Sequence, residues 1–335
     1  MKSISRKVCA LLLFSGGLDS ILAAKILEKQ GIEVTALTFV SYFFDAGQAR
    51  KSAKENGIKL IEKDISRKHF EIVKNPRFGR GTGMNPCIDC HLLMLREAKK
   101  IALKKKYDFI ATGEVLGQRP MSQNIEALKL IEREAGLIGK IIRPLSEKIL
   151  NPRAELLGKM HGISGRGRKE QMALANKYGI KNYPTPAGGC ILTDKEYSKK
   201  LSDLVYKIKK IKESDLKLLR LGRHFWTRPV RKSESLEKKD VLPKGKISKK
   251  FTEPKLSRGV KIILGRNHKE NLALKKLAER NDLLVELKDI PGPLALVRGK
   301  DKKAIEVAKK KIIKYAKKLE NKNPDFVFFN QKSIS

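Results

Sequence analysis

Short apolar runs alternate with helical spacing through the first 120 residues. Val8 to Phe14 is a continuous apolar stretch of strand length, and Ile21 to Leu27 places apolar residues at helical intervals. "IEVTALTFV" (32–40), "IKLIEKDI" (58–65) and "YDFIATGE" (107–114) read as further strands, with "AGQARKSAKENG" (46–57) as a helix between two of them. Strands separated by helices predict βαβ units, hence an α/β fold with a Rossmann-like parallel sheet and helices on both faces. Such sheets bind ligands beyond the carboxyl ends of their strands, where SGGLDS (15–20) and ATGEVLGQ (111–118) both fall.

The pattern changes after Pro144. Residues 151–179 predict helical segments broken by a Gly/Arg-rich loop, and "NYPTPAGGCILTD" (182–194) reads as a loop punctuated by proline and glycine. Residues 196–220 form a basic helical region. The stretch 228–258 is polar and weakly periodic, either an extended segment or a linker. Beyond it a small basic α+β unit is expected, with strands at 259–267 and 294–299 and helices at 267–280 and 300–320, while 323–335 has no clear pattern. Three regions follow: 1–150, a connecting region 151–245, and 250–322.

Composition sharpens this picture through charge. The 335 residues carry 74 Lys+Arg against 36 Asp+Glu, a net +38, of which +27 lies after residue 150. Lysine and glutamate usually rise together in charge-rich solvated surfaces, so this imbalance points to a polyanionic partner such as nucleic acid. A hydrophobic content of 41% excludes a disordered chain, and no apolar run is long enough to span a bilayer. The basic-then-apolar start imitates a signal peptide but runs into SGGLDS instead of a small-residue cleavage site, so a cytoplasmic address is expected. Four cysteines in a chain of this length suggest thiol or metal chemistry over a disulfide framework.

Ser15, Gly16, Gly17, Asp19 and Ser20 join the first strand to the first helix. Glycines there let the backbone approach an anion, the hydroxyls add donors, and the helix N-terminus favours negative charge. The P-loop lysine is missing, so this is not a Walker motif. Cys87 and Cys90 in "NPCIDCH" and Cys190 in "PAGGC" stand in predicted loops, where three thiols suggest a site, whereas Cys9 lies in the first strand and is expected in the core. A zinc site on Cys87, Cys90, His91 and Cys190 is the structural alternative.

SGGLDS resembles the pyrophosphate loop of the PP-loop (HUP-type) ATPases, which cleave ATP between the α and β phosphates. "NPC" followed by a second cysteine resembles the tRNA 2-thiouridylases, formerly labelled thiouridylate methyltransferases, and "ATGEVLGQRPMSQ" is similar to a segment of the tRNA 4-thiouridine synthases. No residue set suggests S-adenosylmethionine binding. With PAGGC these motifs cover roughly the first 195 residues. The resemblance implies that ATP and Mg2+ are held by Ser15, Gly16, Gly17, Asp19 and Ser20, with Thr112, Gly113 and Glu114 near the nucleotide. Gln118, Ser122 and Gln123 would line the adjacent entrance, Arg119 and Gln123 meeting RNA. Cys87 and Cys190, with Asp19, would be catalytic. Either a persulfide on Cys190 or Cys87 is resolved by a second thiol, or Cys87, Cys90 and Cys190 ligate a 4Fe-4S cluster, the reading the third cysteine favours. The TGE-LGQ stretch leans towards 4-thiouridine and the paired cysteines towards 2-thiouridine.

Residues 259–299 resemble the RNA-binding portion of the NFACT proteins, with Gly265, Arg266, Asn267 and Asn271 matching a G-R-N-x-x-x-N core and Asp282, Pro291 and Gly292 following. Arg266, Asn267 and Asn271 are therefore the expected RNA contacts. The aromatic-histidine step after the aspartate is replaced by Leu283 to Glu286, which removes the ordinary stacking groups. The resulting expectation is an ATP-dependent tRNA thiouridylase whose partners are tRNA and a sulfur donor (sulfide or a persulfide carrier, such as a cysteine desulfurase would load), and which a homodimer would suit. The rivals are a zinc-bearing PP-loop ligase for a small molecule and a noncatalytic RNA-binding protein.

Overall fold

The computed structural model describes residues 6–151, 160–185, 189–227, 259–299, 301–316, 319 and 324–330. Residues 152–159 of the helical segments expected over 151–179, the stretch 228–258 and residues 186–188 of the proline- and glycine-punctuated loop lie outside them. The chain divides into two compact units, one running to Ile191 and the other beginning at Leu192.

In the first unit, strands β1 (Cys9–Leu13), β2 (Glu33–Val40), β3 (Lys59–Asp64), β4 (Phe109–Thr112) and β5 (Ile141–Ile142) form a sheet in the order β3-β2-β1-β4-β5. All four pairings are parallel, in the Rossmann-like arrangement expected. Both faces of the central strand are buried, which is why it reads as an unbroken apolar run. Ala10 and Leu12 pack against α1 (Leu18–Glu28) with Ala49 and Ala53 of α2 (Gly47–Glu55). Leu11 faces α4 (Cys87–Lys105) and α5 (Ile125–Ala135), with Ile72 of α3 (Ser66–Lys74) on the same side. A short α6 (Glu147–Leu150) and α7 (Lys169–Lys177) follow, Ala175 closing over the α1 face. Cys9, expected in the core, stands half-buried at the first position of β1, where the strand emerges; its Sγ lies 3.4 Å from the Lys7 carbonyl.

The second unit begins earlier than the sequence division at 250. Helices α8 (Lys195–Lys207) and α9 (Glu213–Leu218) and strand β6 (Arg223–Trp226), from the expected connecting region, belong to it. With β7 (Lys261–Leu264), β8 (Asp282–Leu287), β9 (Ala295–Arg298) and β10 (Phe326–Phe329), β6 builds a sheet ordered β10-β8-β9-β7-β6, antiparallel at every pairing. Helix α10 (His268–Leu277) covers one face through Leu274 and α11 (Lys302–Tyr315) the other through Ala304, Ala308 and Ile312. The α+β expectation holds, with β6, β8 and β10 as strands the periodicity did not reveal. Among the described residues, no helix is long and apolar enough to cross a membrane.

Candidate active site

The SGGLDS loop crosses the carboxyl end of β1 and Gly17 caps α1 in extended conformation, so the loop's amides gather at a helix N-terminus. Gly16 has φ +78°, and a Cβ on it would stand 2.6 Å from the Gln48 carbonyl oxygen, so only glycine fits. Ser52 Oγ donates to the Gly16 carbonyl at 2.8 Å and Ser20 Oγ to the Gly17 carbonyl at 2.8 Å. The loop is thus braced from α2 by Ser52 and from its own helix by Ser20.

The strand end of β4 presses on the same point. A Cβ on Gly113 would come within 2.8 Å of the Asp19 carbonyl carbon and the Ser20 Cα. Gln118, in the following loop, donates to Asp19 Oδ2 at 3.0 Å. Asp19 Oδ1 is buried with no hydrogen-bond partner among the described residues. Burial pushes this carboxyl above its ordinary value against the pull of Gln118, Arg168 and Arg119. An orphaned, desolvated carboxylate oxygen beside a phosphate-shaped loop fits a divalent cation, whose charge would restore the ionised form. Arg168 comes from the Gly/Arg-rich loop; Gly165 N donates to the Leu116 carbonyl at 2.7 Å and draws that loop against the ATGEVLG segment. Arg168 is a contributor that sequence patterning had left unassigned.

Cys87 and Cys90 do not stand in a loop: they form the first turn of α4, entered through Pro86. Asn85 Nδ2 donates to Cys87 Sγ at 2.9 Å. Burial raises the Cys87 thiol above its ordinary value, and the charge of Cys190 raises it further, while Asn85 and Arg119 oppose. Cys90 is pushed up strongly, by burial first and then by Cys190, Cys87 and Asp89. The three cysteines are unbridged and lie within one another's electric field. The charge of the exposed Arg119 favours the ionised form of both Asp19 and Cys87, so the loop after β1 and the first turn of α4 share one cation's field.

No three His, Cys, Asp or Glu side chains converge to hold a single metal ion among the described residues, so the zinc constellation with His91 is not assembled. His91 instead contacts Glu114, Nδ1 to Oε1 at 2.9 Å, and Arg143 Nε and Thr112 Oγ1 both donate to Glu114 Oε2 at 3.0 Å. Burial alone would raise this carboxyl; Arg143 and His91 overcome it and hold it at about 2. Thr112 and Glu114, expected near a nucleotide, thus spend their polar atoms bracing the floor of the site. Gln123, expected to meet RNA, is 6% exposed, because the turn it closes, Gly117 N to the Gln123 carbonyl at 2.7 Å, folds it inward with Ser122.

In the second unit, Asn267 caps α10 by accepting from Glu270 N at 2.9 Å. Asn271 accepts from Leu294 N at 3.2 Å and donates to the Gly292 carbonyl at 3.1 Å, locking the GRN turn to the Pro-Gly turn. The Arg266 guanidinium is paired with Glu270 and remains partly exposed. The motif's asparagines are therefore occupied in holding the fold, although Asn267, like Arg266, is exposed.

Two segments of the chain match known protein families. Residues 5–149 match the ThiI family model. That family is described as thiamine biosynthesis protein (ThiI), and residues 255–333 match the NFACT protein RNA-binding domain. The ThiI-type segment is 33% identical over 144 residues to a probable tRNA sulfurtransferase of Finegoldia magna, covering 40% of this chain and 35% of that protein. It is 36% identical over 124 residues to the tRNA-specific 2-thiouridylase MnmA of Sulfurimonas denitrificans, covering 34% and 36%. The chain spans about a third of the length of these curated relatives. A crystal structure of a 4-thiouridine synthetase–RNA complex with bound ATP overlaps at TM-score 0.34 and 22% identity, over 52% of each chain, too loosely to carry weight.

Proposed function

We propose that this chain thiolates tRNA at the expense of ATP. The observation that carries the reading is that the exposed Arg119 acts on both Asp19, in the phosphate-shaped loop, and Cys87, which in turn lies in the field of Cys190. Activation and sulfur delivery need those two chemistries side by side. The matches to the ThiI family and to the NFACT RNA-binding domain, and the net charge of +38, support RNA as the acceptor.

In this reading the amides of Gly16 and Gly17 and the N-terminus of α1 receive the β and γ phosphates. Mg2+ at Asp19 would offset the charge of the departing pyrophosphate. A uridine carbonyl oxygen bonds to the α-phosphorus as the bond to the bridging oxygen breaks and pyrophosphate leaves. Sulfur then adds at the activated carbon, and AMP departs with the original oxygen. Arg119 and Arg168, whose charges act on Asp19, would neutralise phosphate charge as it develops.

The thiols handle the sulfur. Three in one neighbourhood are one more than a persulfide relay requires, which supports ligation of a 4Fe-4S cluster by Cys87, Cys90 and Cys190; cluster ligands bind different irons and need not converge on one ion. Bound there, a cluster would hold sulfide at an open iron. The donor is then sulfide or a persulfide carrier.

RNA-dependent pyrophosphate release and thiouridine formation, measured separately under anaerobic conditions, test the assignment. Asp19→Ala is expected to abolish both. Cys190→Ala is expected to retain pyrophosphate release and lose thiouridine, and a Cys190→Ala protein that thiolates normally would overturn the sulfur site. Iron and acid-labile sulfide that vanish in Cys87→Ala support the cluster; a metal-free wild type that still thiolates moves the chemistry to a persulfide.

A further inference from the structure

The strand that matches the aspartate of the NFACT pattern, β8, carries no ring: its residues are Asp-Leu-Leu-Val-Glu-Leu. The aromatic side chains lie on the strand paired with it. β10, Phe-Val-Phe-Phe, runs antiparallel to β8 with Phe328 opposite Val285 and Phe326 opposite Leu287. It is an edge strand of the sheet. Phe326 packs on the core beneath α11, while Phe328 on the same face is 45% exposed and its neighbour Val327 is 40% exposed.

Cations stand beside these rings on both faces of the strand. Lys309 Nζ of α11 lies 5.5 Å from the Phe328 centroid and 5.7 Å from that of Phe326; it also pairs with Glu306 at 3.0 Å. On the opposite face Lys275 lies 4.9 Å from the Phe329 centroid. α11 itself holds six lysines against one acid, Glu306. An exposed ring on a sheet edge is an aggregation liability unless something uses it. Rings interleaved with lysines are the composition that stacks bases and tracks phosphates in single-stranded nucleic acid. A second copy of the chain pairing along β10 would bring one lysine-rich helix towards another, so the charge disfavours that occupant.

We propose that Phe328, flanked by Lys309, is a stacking platform for an unpaired nucleobase, with the adjoining phosphate held by lysines of α11. The platform rests on the reading of this chain as an RNA-binding enzyme and supplies the stacking group that β8 lacks. It explains why the terminal strand, which carries no catalytic motif, is aromatic at three of four positions.

The test uses the full chain, without ATP, and a fluorescently labelled unstructured RNA of about ten nucleotides, with a blunt duplex of the same length as control. Phe328→Leu keeps an apolar, half-exposed residue and is expected to weaken single-strand binding about tenfold while leaving duplex binding unchanged. Phe328→Trp is expected to restore it, and ultraviolet crosslinking of the wild type should map to the peptide containing Phe328. Lys309→Ala should lower the salt slope of binding by about one. Equal single-strand affinity in wild type and Phe328→Leu overturns the platform. So does a wild-type dimer that dissociates in Phe328→Leu with RNA affinity unaltered, since the edge then belongs to a second copy. A wild type that binds neither RNA removes the RNA reading itself, whereas RNA binding without thiolation leaves the platform standing and removes only the catalytic assignment.

Discussion

Glu114 shows how a motif residue can be held by its own protein neighbours. Its two oxygens take His91, Thr112 and Arg143 in a buried cluster behind the loops, and Arg143 in turn is paired with Glu132. Glu114→Gln would leave Arg143 buried with its charge less well compensated, and a loss of about 3–5 kcal/mol is expected, read as a lowered midpoint in urea. The pH sign follows from the carboxyl being held at about 2 against an ordinary 4.5. Because the folded value is the lower one, this stabilisation is complete above about pH 5 and is lost as the pH falls towards 2. His69 acts in the same direction: burial lowers its ring from 6.5 to about 4, so protonation below pH 6.5 favours the unfolded chain. An acid titration of stability should therefore fall from pH 6.5 downwards, with the part below 5 diminished in Glu114→Gln. The partnership with Arg143 could not be read from the sequence, where 29 positions separate the two residues.

At the scale of elements, the site depends on three segments approaching one another within van der Waals distance. The end of β4 meets the start of α1 at Gly113, and the loop after β1 meets α2 at Gly16; in both cases a Cβ would strike backbone that cannot swing away. Gly113→Ala is expected to cost about 1–3 kcal/mol by overpacking and to displace Asp19, so that pyrophosphate release falls at least tenfold. A thermal melt with a steady-state assay checks this, and an active Gly113→Ala protein would show that the contact is dispensable. Strands β1, β2 and β4 were legible because burial on both faces makes them largely apolar runs, whereas β3 is an exposed edge strand and the two-residue β5 was not read. β10 was not, since Phe-Val-Phe-Phe becomes a strand only through its ladder with β8. The first turn of α4 was also missed: Pro86 and the preceding glycines read as loop, and helix begins at Cys87 because proline is tolerated at a helix start.

For the whole molecule, charge sets the expected behaviour with a polyanion. With a net +38, affinity for a tRNA transcript should fall by at least about a hundredfold between 50 and 200 mM salt; a loss below fivefold, measured by filter binding, would mean that the lysines do not contact phosphate. The sequence by itself determined the parallel α/β class, the anion loop, the candidate thiols and the basic character, because each depends on local periodicity, on a short contiguous motif or on a sum over residues. Only the tertiary structure decided that α8, α9 and β6 belong with the second unit, that Asn271 is spent on the Pro-Gly turn, and that the charge of Arg119 acts on both Asp19 and Cys87. Those facts are contacts between segments far apart in the chain, whose geometry is set by packing and which no local pattern encodes.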